Sequence, residues 1–377
     1  MNTKQPTITA LIGDMFASDM QTIVNTVNCV GIMGKGIAQI FKKQYPDMFE
    51  DYAERCSRDE VRLGEPYHYK DLTGVSIVNF PTKGHWRAAT RLDDVEAGLD
   101  YFVKHFRAWG ITSVAFPPLG CGNGGLDWAT VGPIMYAKLK GLGIPVEIYA
   151  PFGTPTVQLK EEFLTADQQM EFSVKGRRRE KLRPEWAALV EVLYELEQQP
   201  YANPVGRTIF QKICYILTKQ GVNTGFQFER KSYGPFAEEV KEAINVLANN
   251  NWVIEQQLGQ MTALRVGPEY SKARVKLVDE LKPFQRKIDK TVDLFSRIKN
   301  TEQAEEVATV IFAVQNLKQE RKPEEVSEAD LFDYILEWKK VWKKDESKQL
   351  SLAEAIRNLE MLGWVKLQFS ASLPVPV

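Results

Sequence analysis

Histidine and cysteine are scarce in this chain, which has three histidines and four cysteines among its 377 residues. His68, His85 and His105 do not stand at metal-ligand spacing, and this argues against metal-assisted hydrolysis. Cys29, Cys56, Cys121 and Cys214 lie far apart and form no CxxC pair, so reduced thiols are expected rather than a zinc site or a disulfide framework. No metal and no cofactor is expected. A long apolar run is missing as well, so no membrane-spanning helix is expected. Residues 1–5 are polar and lack the apolar core of a signal peptide, from which a cytoplasmic location without membrane contact follows as the expectation. The chain also lacks an excess of charge of one sign, with 48 basic and 49 acidic side chains and a formal net charge of −1. Any contact with nucleic acid must therefore be local. What remains is an ordinary globular composition, 44% hydrophobic and 26% charged, in a chain longer than one typical domain.

The first part of the chain alternates strand-like and helix-like patterns. Short apolar runs at 7–12, 22–25, 75–80, 113–116 and 146–150 read as strands. Between them Ile37, Ile40, Phe41 and Tyr45 recur at helical spacing after Gly36, and Val95, Leu99, Phe102, Val103 and Phe106 do so further on. The rhythm predicts an α/β domain over 1–155. Beyond Pro151 come a polar stretch and a basic run, Lys175, Arg177, Arg178, Arg179, Lys181 and Arg183, which reads as a solvated linker over 156–184.

From 185 to 377 the pattern is mainly helical. Trp186, Leu189, Val190, Leu193 and Leu196 share one helix face, and Phe210, Ile213, Cys214 and Leu217 another. Ser327 with Asp330, and Ser351 with Glu354, read as capping boxes that start two later helices. The first leads into Leu331, Tyr334, Ile335, Trp338 and Trp342, an aromatic stripe expected in the core. Glu242, Ala243, Ile244, Leu247, Trp252 and Val253 recur at the same spacing as Glu354, Ala355, Ile356, Leu359, Trp364 and Val365. Each copy reads as a helix running into a short strand, the tail of a winged-helix-like unit, so two related modules are expected at about 185–260 and 300–377.

Three segments of the first domain suit one nucleotide-like ligand. Gly13, Asp14 and Met15 follow a strand, where a carboxylate can accept a hydrogen bond from an exocyclic amine. Val24, Asn25, Thr26, Val27 and Asn28 lead into Gly31, Ile32, Met33, Gly34, Lys35, Gly36 and Ile37 and then a helix. Asparagine amides can bond ribose hydroxyls, and glycines let backbone N–H groups approach phosphate at a helix N-terminus. The third segment is Pro117, Pro118, Leu119, Gly120, Cys121, Gly122, Asn123, Gly124 and Gly125, a loop whose amides can wrap a diphosphate beyond the carboxyl ends of the strands. Each glycine cluster taken singly is as well explained by a turn. Their joint placement after strands favours the ligand.

These segments resemble a macrodomain over about residues 5–155, with its strand-borne VNxxN at 24–28 and its glycine-rich phosphate loop at 120–125. The run from Val24 to Ala38 is similar to the branch that holds the DarG antitoxins and the eukaryotic terminal ADP-ribose glycohydrolase, and Asn79, Phe80, Pro81, Thr82 and Lys83 match the strand end where that branch keeps its catalytic lysine. The resemblance implies a three-layer α/β fold, with a central mixed sheet between helices, that binds ADP-ribose. It places Asp14 and Met15 at adenine, Asn28, Gly34, Lys35, Gly36 and Ile37 at the distal ribose, and Gly120, Cys121, Gly122, Asn123 and Gly124 at the diphosphate, with Asn25, Thr26, Val27 and Thr82 also among the ADP-ribose-binding residues. Lys83 would be the catalytic residue. One departure stands out: the eukaryotic relative has an aspartate in the phosphate loop, and the matching position here is Gly124. Asp127, three residues on, reads as the N-cap of a helix starting at Trp128 rather than as a base.

The second domain resembles more loosely the C-terminal part of DarG, and its 210–217 helix with Lys231, Ser232, Tyr233, Gly234, Pro235 and Phe236 is similar to Panacea-type antitoxin domains. Together the resemblances imply an antitoxin. Its macrodomain would remove ADP-ribose from thymidine in single-stranded DNA, and its C-terminal domain would bind the DarT toxin as a heterodimer. The alternative from another class is a reader that holds ADP-ribose without cleaving it, fused to a helical DNA-binding module.

Overall fold

The computed structural model describes residues 8–166, 182–259, 261–321 and 325–375. The chain divides into two compact units, Met1–Glu180 and Lys181–Val377. Of the basic run expected in the linker, Lys175 to Lys181 lie outside the described residues.

In the first unit, β1 (Ile8–Leu11), β2 (Thr22–Asn28), β3 (Tyr67–Lys70), β4 (Ser76–Lys83), β5 (Val114–Phe116) and β6 (Val146–Tyr149) form one sheet in the order β1-β6-β5-β2-β4-β3. All pairings are parallel except that of β3, which closes the edge antiparallel to β4. The sheet is therefore mixed. Helices α1 (Gly36–Gln44) and α2 (Pro46–Ser57) cover one face, where Phe41, Met48, Tyr52 and Ile77 are buried together. Helices α3 (Leu92–His105) and α4 (Trp128–Leu139) cover the other through Leu99, Phe102, Val131 and Met135 against Val24, Val78 and Phe116. Each such buried side chain contributes roughly 1.5–3 kcal/mol. The helical period that ends at Tyr45 continues as a separate helix because Pro46, which has no N–H to give, occupies its first position. Four-residue β3 escaped the strand pattern because it is a short edge element bearing His68 and Lys70. The stretch read as linker opens with folded residues: a 3₁₀ turn at Thr156–Leu159 and α5 (Glu161–Ala166), whose Leu164 is buried in the same cluster as Val131 and Met135.

The second unit is mainly helical. Its helices α6 (Pro184–Glu197), α7 (Arg207–Lys219), α8 (Glu239–Asn249), α9 (Pro268–Leu281), α10 (Gln285–Ser296), α11 (Thr301–Arg321), α12 (Glu328–Trp338) and α13 (Glu346–Met361) share one core. Two hairpins accompany them, β7 (Glu229–Lys231) with β8 (Gly234–Phe236) and β9 (Val253–Leu258) with β10 (Met261–Val266). The stripe of Leu331, Tyr334, Ile335 and Trp342 is buried in that core. Ser327 caps α12 by accepting the Asp330 N–H at 3.1 Å. The second expected cap is corrected: Asp345 starts α13, accepting the Lys348 N–H at 3.1 Å. Ser351 sits inside that helix and donates to Glu306 Oε2 at 2.7 Å. A longer helix simply enclosed the local Ser-x-x-Glu signal. The repeat is likewise uneven. Ala243, Ile244 and Leu247 and their counterparts Ala355, Ile356 and Leu359 are buried alike, but only the first copy runs into a strand, and Trp364 and Val365 lie outside any strand.

Candidate active site

Because β1, β2, β4, β5 and β6 run parallel, the loops that follow them emerge on one edge of the sheet. All three glycine-bearing segments and Lys83 are on those loops or at those ends. The pairing of β2 with β4 sets Val27 opposite Pro81 and then Asn28 opposite Lys83, passing over Thr82. This bulge turns Thr82 inward, where it is buried and its hydroxyl donates to the Val27 carbonyl at 3.4 Å. It leaves Lys83 at the rim, half-buried, with Nζ donating to the Asn123 carbonyl at 2.6 Å.

Asn123 also meets the other glycine segment. Gly36, at φ +59°, opens α1, and a Cβ on it would lie 3.2 Å from Asn123 Nδ2. Lys83, the amino end of α1 with exposed Gly34, Lys35 and Gly36, and the 120–124 loop thus converge on one residue. Unpaired amides at the start of a helix and in such a loop favour an anion. Gly124 is required for a different reason: a Cβ there would fall 2.2 Å from the Gly120 carbonyl oxygen and 2.6 Å from Thr90 Oγ1. No aspartate can stand at that position while the loop keeps this path. Asp127 is occupied as the cap of α4, accepting the Ala129 N–H at 3.2 Å.

The remaining expected residues divide. Asp14 is exposed and shapes its own turn by accepting the Phe16 N–H at 3.0 Å, while Met15 is buried beneath it. Ile37 and Thr26 are partly buried and Val27 is in the core. Asn25 is not brought to the cleft: it is fully buried and its amide donates to Asn79 Oδ1 across the β2–β4 pairing at 2.9 Å. Asn28 holds the next loop, donating to the Ile32 carbonyl at 2.6 Å and accepting from the Val30 N–H at 3.0 Å and the Tyr52 hydroxyl at 3.0 Å. Gly122 has open space around it and Cys121 is half-buried.

Phe152, missed in the sequence, lies beyond β6 with 83% of its surface exposed. It lines an open cleft of about 360 Å³ with Cys121, Asp127, Trp128, Thr154 and Gln158. The turn at Asp14 is at a neighbouring strand end, since the Ala150 N–H donates to the Leu11 carbonyl at 2.8 Å. The available signal was an aromatic residue directly after a strand and a proline, on the edge where the glycine loops also emerge.

A family profile described as the Macro domain matches residues 24–135. A solved structure, the macrodomain of Mycobacterium tuberculosis DarG, is 45% identical over 39% of this chain and 99% of that one, with a TM-score of 0.38. Residues 24–135 thus carry a Macro domain. Among curated relatives, the DNA ADP-ribosyl glycohydrolase of Mycobacterium tuberculosis is 36% identical over 62% of this chain and 64% of its own length. The DNA ADP-ribosyl transferase-DNA ADP-ribosyl glycohydrolase fusion protein of Thermosipho africanus is 42% identical over 40% of this chain and 44% of its own. The chain thus spans less than two thirds of the length of these curated relatives.

The electrostatics of the macrodomain narrow its chemistry. Burial, with Cys56 and Asp94 adding to it, pushes the Cys29 thiol up to about 12. Burial, then Asp127, raises that of Cys121 to about 12. Neither is a thiolate near neutral pH, so neither is a ready nucleophile. Among the described residues no cluster of histidine, cysteine and carboxylate side chains can hold a metal ion, and no helix is long and apolar enough to cross a membrane. Lys83 stands at the rim, with exposed Lys35 at the start of α1 and His85 two residues on in its own loop.

In the second unit the two segments that suggested an antitoxin domain are joined by one side chain. Lys212 on α7 is buried, and Nζ donates to the Tyr233 carbonyl at 2.5 Å and the Pro235 carbonyl at 2.9 Å. Ser232 and Tyr233 form the turn of the β7–β8 hairpin and Gly234 and Pro235 begin β8, so Lys212 anchors the hairpin while Tyr233 stays exposed.

Proposed function

We propose that the macrodomain hydrolyses the N-glycosidic bond between ADP-ribose and thymidine bases of single-stranded DNA, and that the second unit binds and inhibits the DarT ADP-ribosyltransferase that attaches the group. The observation that carries the catalytic half is the meeting of Lys83 Nζ, Asn123 and the start of α1 at one point of the cleft edge. A reader of ADP-ribose needs the loops alone; an amine fixed against the phosphate loop is what a hydrolase adds. The names of the relatives support the same reading, and the Thermosipho africanus protein joins transferase and glycohydrolase in one chain.

In this proposal Asp14 accepts from the adenine amine and Phe152 offers its ring face to the base. The amides at 34–37 and 120–124 hold the diphosphate, which sets the distal ribose near Lys83. Neutral Lys83 attacks the anomeric carbon. The bond from that carbon to the base nitrogen breaks, its electron pair leaves with the base, and the proton shed by the attacking nitrogen passes to the base nitrogen. Water then adds to the same carbon as its bond to Lys83 Nζ breaks, the electron pair and a proton from the water going to that nitrogen, which releases ADP-ribose and restores the amine.

The test is incubation of the purified chain with ADP-ribosylated single-stranded DNA and, separately, with ADP-ribosylated protein. Release from the DNA is expected. Release from protein alone would remove the DNA reading, and binding of ADP-ribose without release from either would leave a reader. For the second unit, co-purification of the toxin with a chain truncated before Leu182 instead of with the full chain would overturn the two-part antitoxin.

A further inference from the structure

The loops and Lys83 account for the ADP-ribose half of the proposed substrate and leave the DNA strand without a receptor. The turn after Lys83 carries the groups for one. Residues 85–88 close tightly, the Ala88 N–H donating to the His85 carbonyl at 2.8 Å, with Trp86 and Arg87 at the two corners. Both side chains are exposed, Trp86 by 41%. The Arg87 guanidinium lies over the indole, 4.3 Å from its centroid.

Both sides of this turn are tied to the phosphate loop. Upstream, Lys83 Nζ bonds the Asn123 carbonyl; downstream, the Thr90 N–H donates to the Gly124 carbonyl at 3.3 Å, and Ala88, Ala89 and Thr90 are buried. Exposed apolar side chains flank it. A Cβ on Gly84 would lie 3.8 Å from Leu63 Cδ1, and the Cys29 N–H donates to the Lys83 carbonyl at 3.0 Å, which brings Val30 and Ile32 to the same strand end.

We infer that Trp86 is a stacking platform for a nucleobase beside the modified thymidine and that Arg87 neutralises a phosphate of the same strand. The inference rests on the DNA reading of the proposed function. Three residues reach at most about 10 Å, so Trp86 lies within a few stacked bases of Lys83, at about 3.4 Å per base. An indole accepts any base on the face away from the guanidinium, and the guanidinium over its other face supplies the local positive charge that a chain with a net charge of −1 does not provide overall. A peptide acceptor has no succession of flat rings to lay on such a platform.

The experiment compares kcat/KM of the full chain on a single-stranded oligonucleotide carrying one ADP-ribosylated thymidine and on the isolated ADP-ribosylated nucleoside. Wild type is expected to favour the oligonucleotide. Trp86→Ala should lower kcat/KM on the oligonucleotide about tenfold to a hundredfold through KM, collapsing that advantage, whereas Trp86→Phe keeps most of it. Arg87→Ala should flatten the logarithmic salt dependence on the oligonucleotide by about 0.7. The thermal shift produced by ADP-ribose serves as the check that each variant is folded. An unchanged oligonucleotide advantage in Trp86→Ala, or an equal loss on both substrates, overturns the platform while the enzymatic reading stands. A wild type inactive on both DNA substrates overturns the reading and the platform together.

Discussion

The two units bury polarity in opposite ways. Among the described residues, the buried polar side chains of the first unit are neutral, such as Thr22, Asn25, Asn28, Asn79 and Thr90, whereas the second unit buries Glu191, Lys212, Glu306, Glu328 and Lys339. In the first unit neutral side chains join strands, as Asn25 does with Asn79, and hold a loop, as Asn28 does by donating to the Ile32 carbonyl and accepting from the Val30 N–H. In the second, charges tie elements to one another. Glu191 accepts from the Tyr270 hydroxyl at 2.6 Å and from Arg274 at 2.7 Å, joining α6 to α9. Lys339 pairs with Glu305 at 2.5 Å and also donates to the Ser232 carbonyl. A buried charge holds only while its partner remains, so the second unit should be brittle to single charge deletions and the first sensitive to changes at its open edge.

The largest expected effect is on chemistry at that edge. Lys83→Ala should reduce turnover by several orders of magnitude, a transition-state deficit on the order of 5 kcal/mol, while ADP-ribose binding measured by calorimetry changes little. Lys83→Arg keeps the charge but cannot serve as a neutral amine, so it should be as inactive. Near-normal turnover in the arginine variant would make Lys83 an electrostatic clamp and move the search to His85.

Next in size, Lys339→Ala strands Glu305 and should destabilise the second unit by about 3–5 kcal/mol. Hydrogen exchange of the full chain should lose protection around residues 301–338 and leave the macrodomain sheet protected. The double variant Lys339→Met with Glu305→Leu should recover most of the loss. Equal loosening of both units would mean that buried charge does not hold the second unit in a way peculiar to it.

A pH effect follows from Lys212. Burial pushes its ammonium down to about 8, Lys339 adding to the shift and Glu305 opposing it. Its ordinary value is 10.5, so between those two pH values the unfolded chain binds more protons than the folded one. The Lys212 contribution to stability therefore rises with pH in that window, by about 3 kcal/mol over its whole width. Burial raises the thiols of Cys29, Cys56, Cys121 and Cys214 above their ordinary 9.0, which acts in the opposite direction over the same range, so the Lys212 contribution is read as the difference between wild type and Lys212→Met in urea unfolding at pH 8 and at about 9.5, and that difference should grow with pH.

The smallest effect separates two neighbouring glycines. Gly124→Ala drives a methyl into the Gly120 carbonyl and should weaken ADP-ribose about tenfold or more, roughly 1.4 kcal/mol. Gly122→Ala meets open space and should alter affinity by less than about threefold. Equal effects at both would mean that the path of the loop does not set the site.

Local chemistry by itself determined the α/β alternation, the glycine loops at strand ends, the position of Lys83 at the end of β4 and the caps at Asp127 and Ser327, because each depends on residues a few positions apart. Only the tertiary structure decided what the polar side chains do. Asn25 and Asn28 look alike in VNxxN, yet one is sealed against Asn79, 54 residues away, and the other shapes the 29–32 loop beneath Tyr52. Lys83 meets Asn123 across 40 residues through a one-residue bulge, and Lys212 looks like a surface lysine until the Tyr233 hairpin folds over it. The reason is common to all of these: a hydrogen-bonding or charged group takes its role from the partners that surround it, and those partners come from distant parts of the chain that only folding brings within reach.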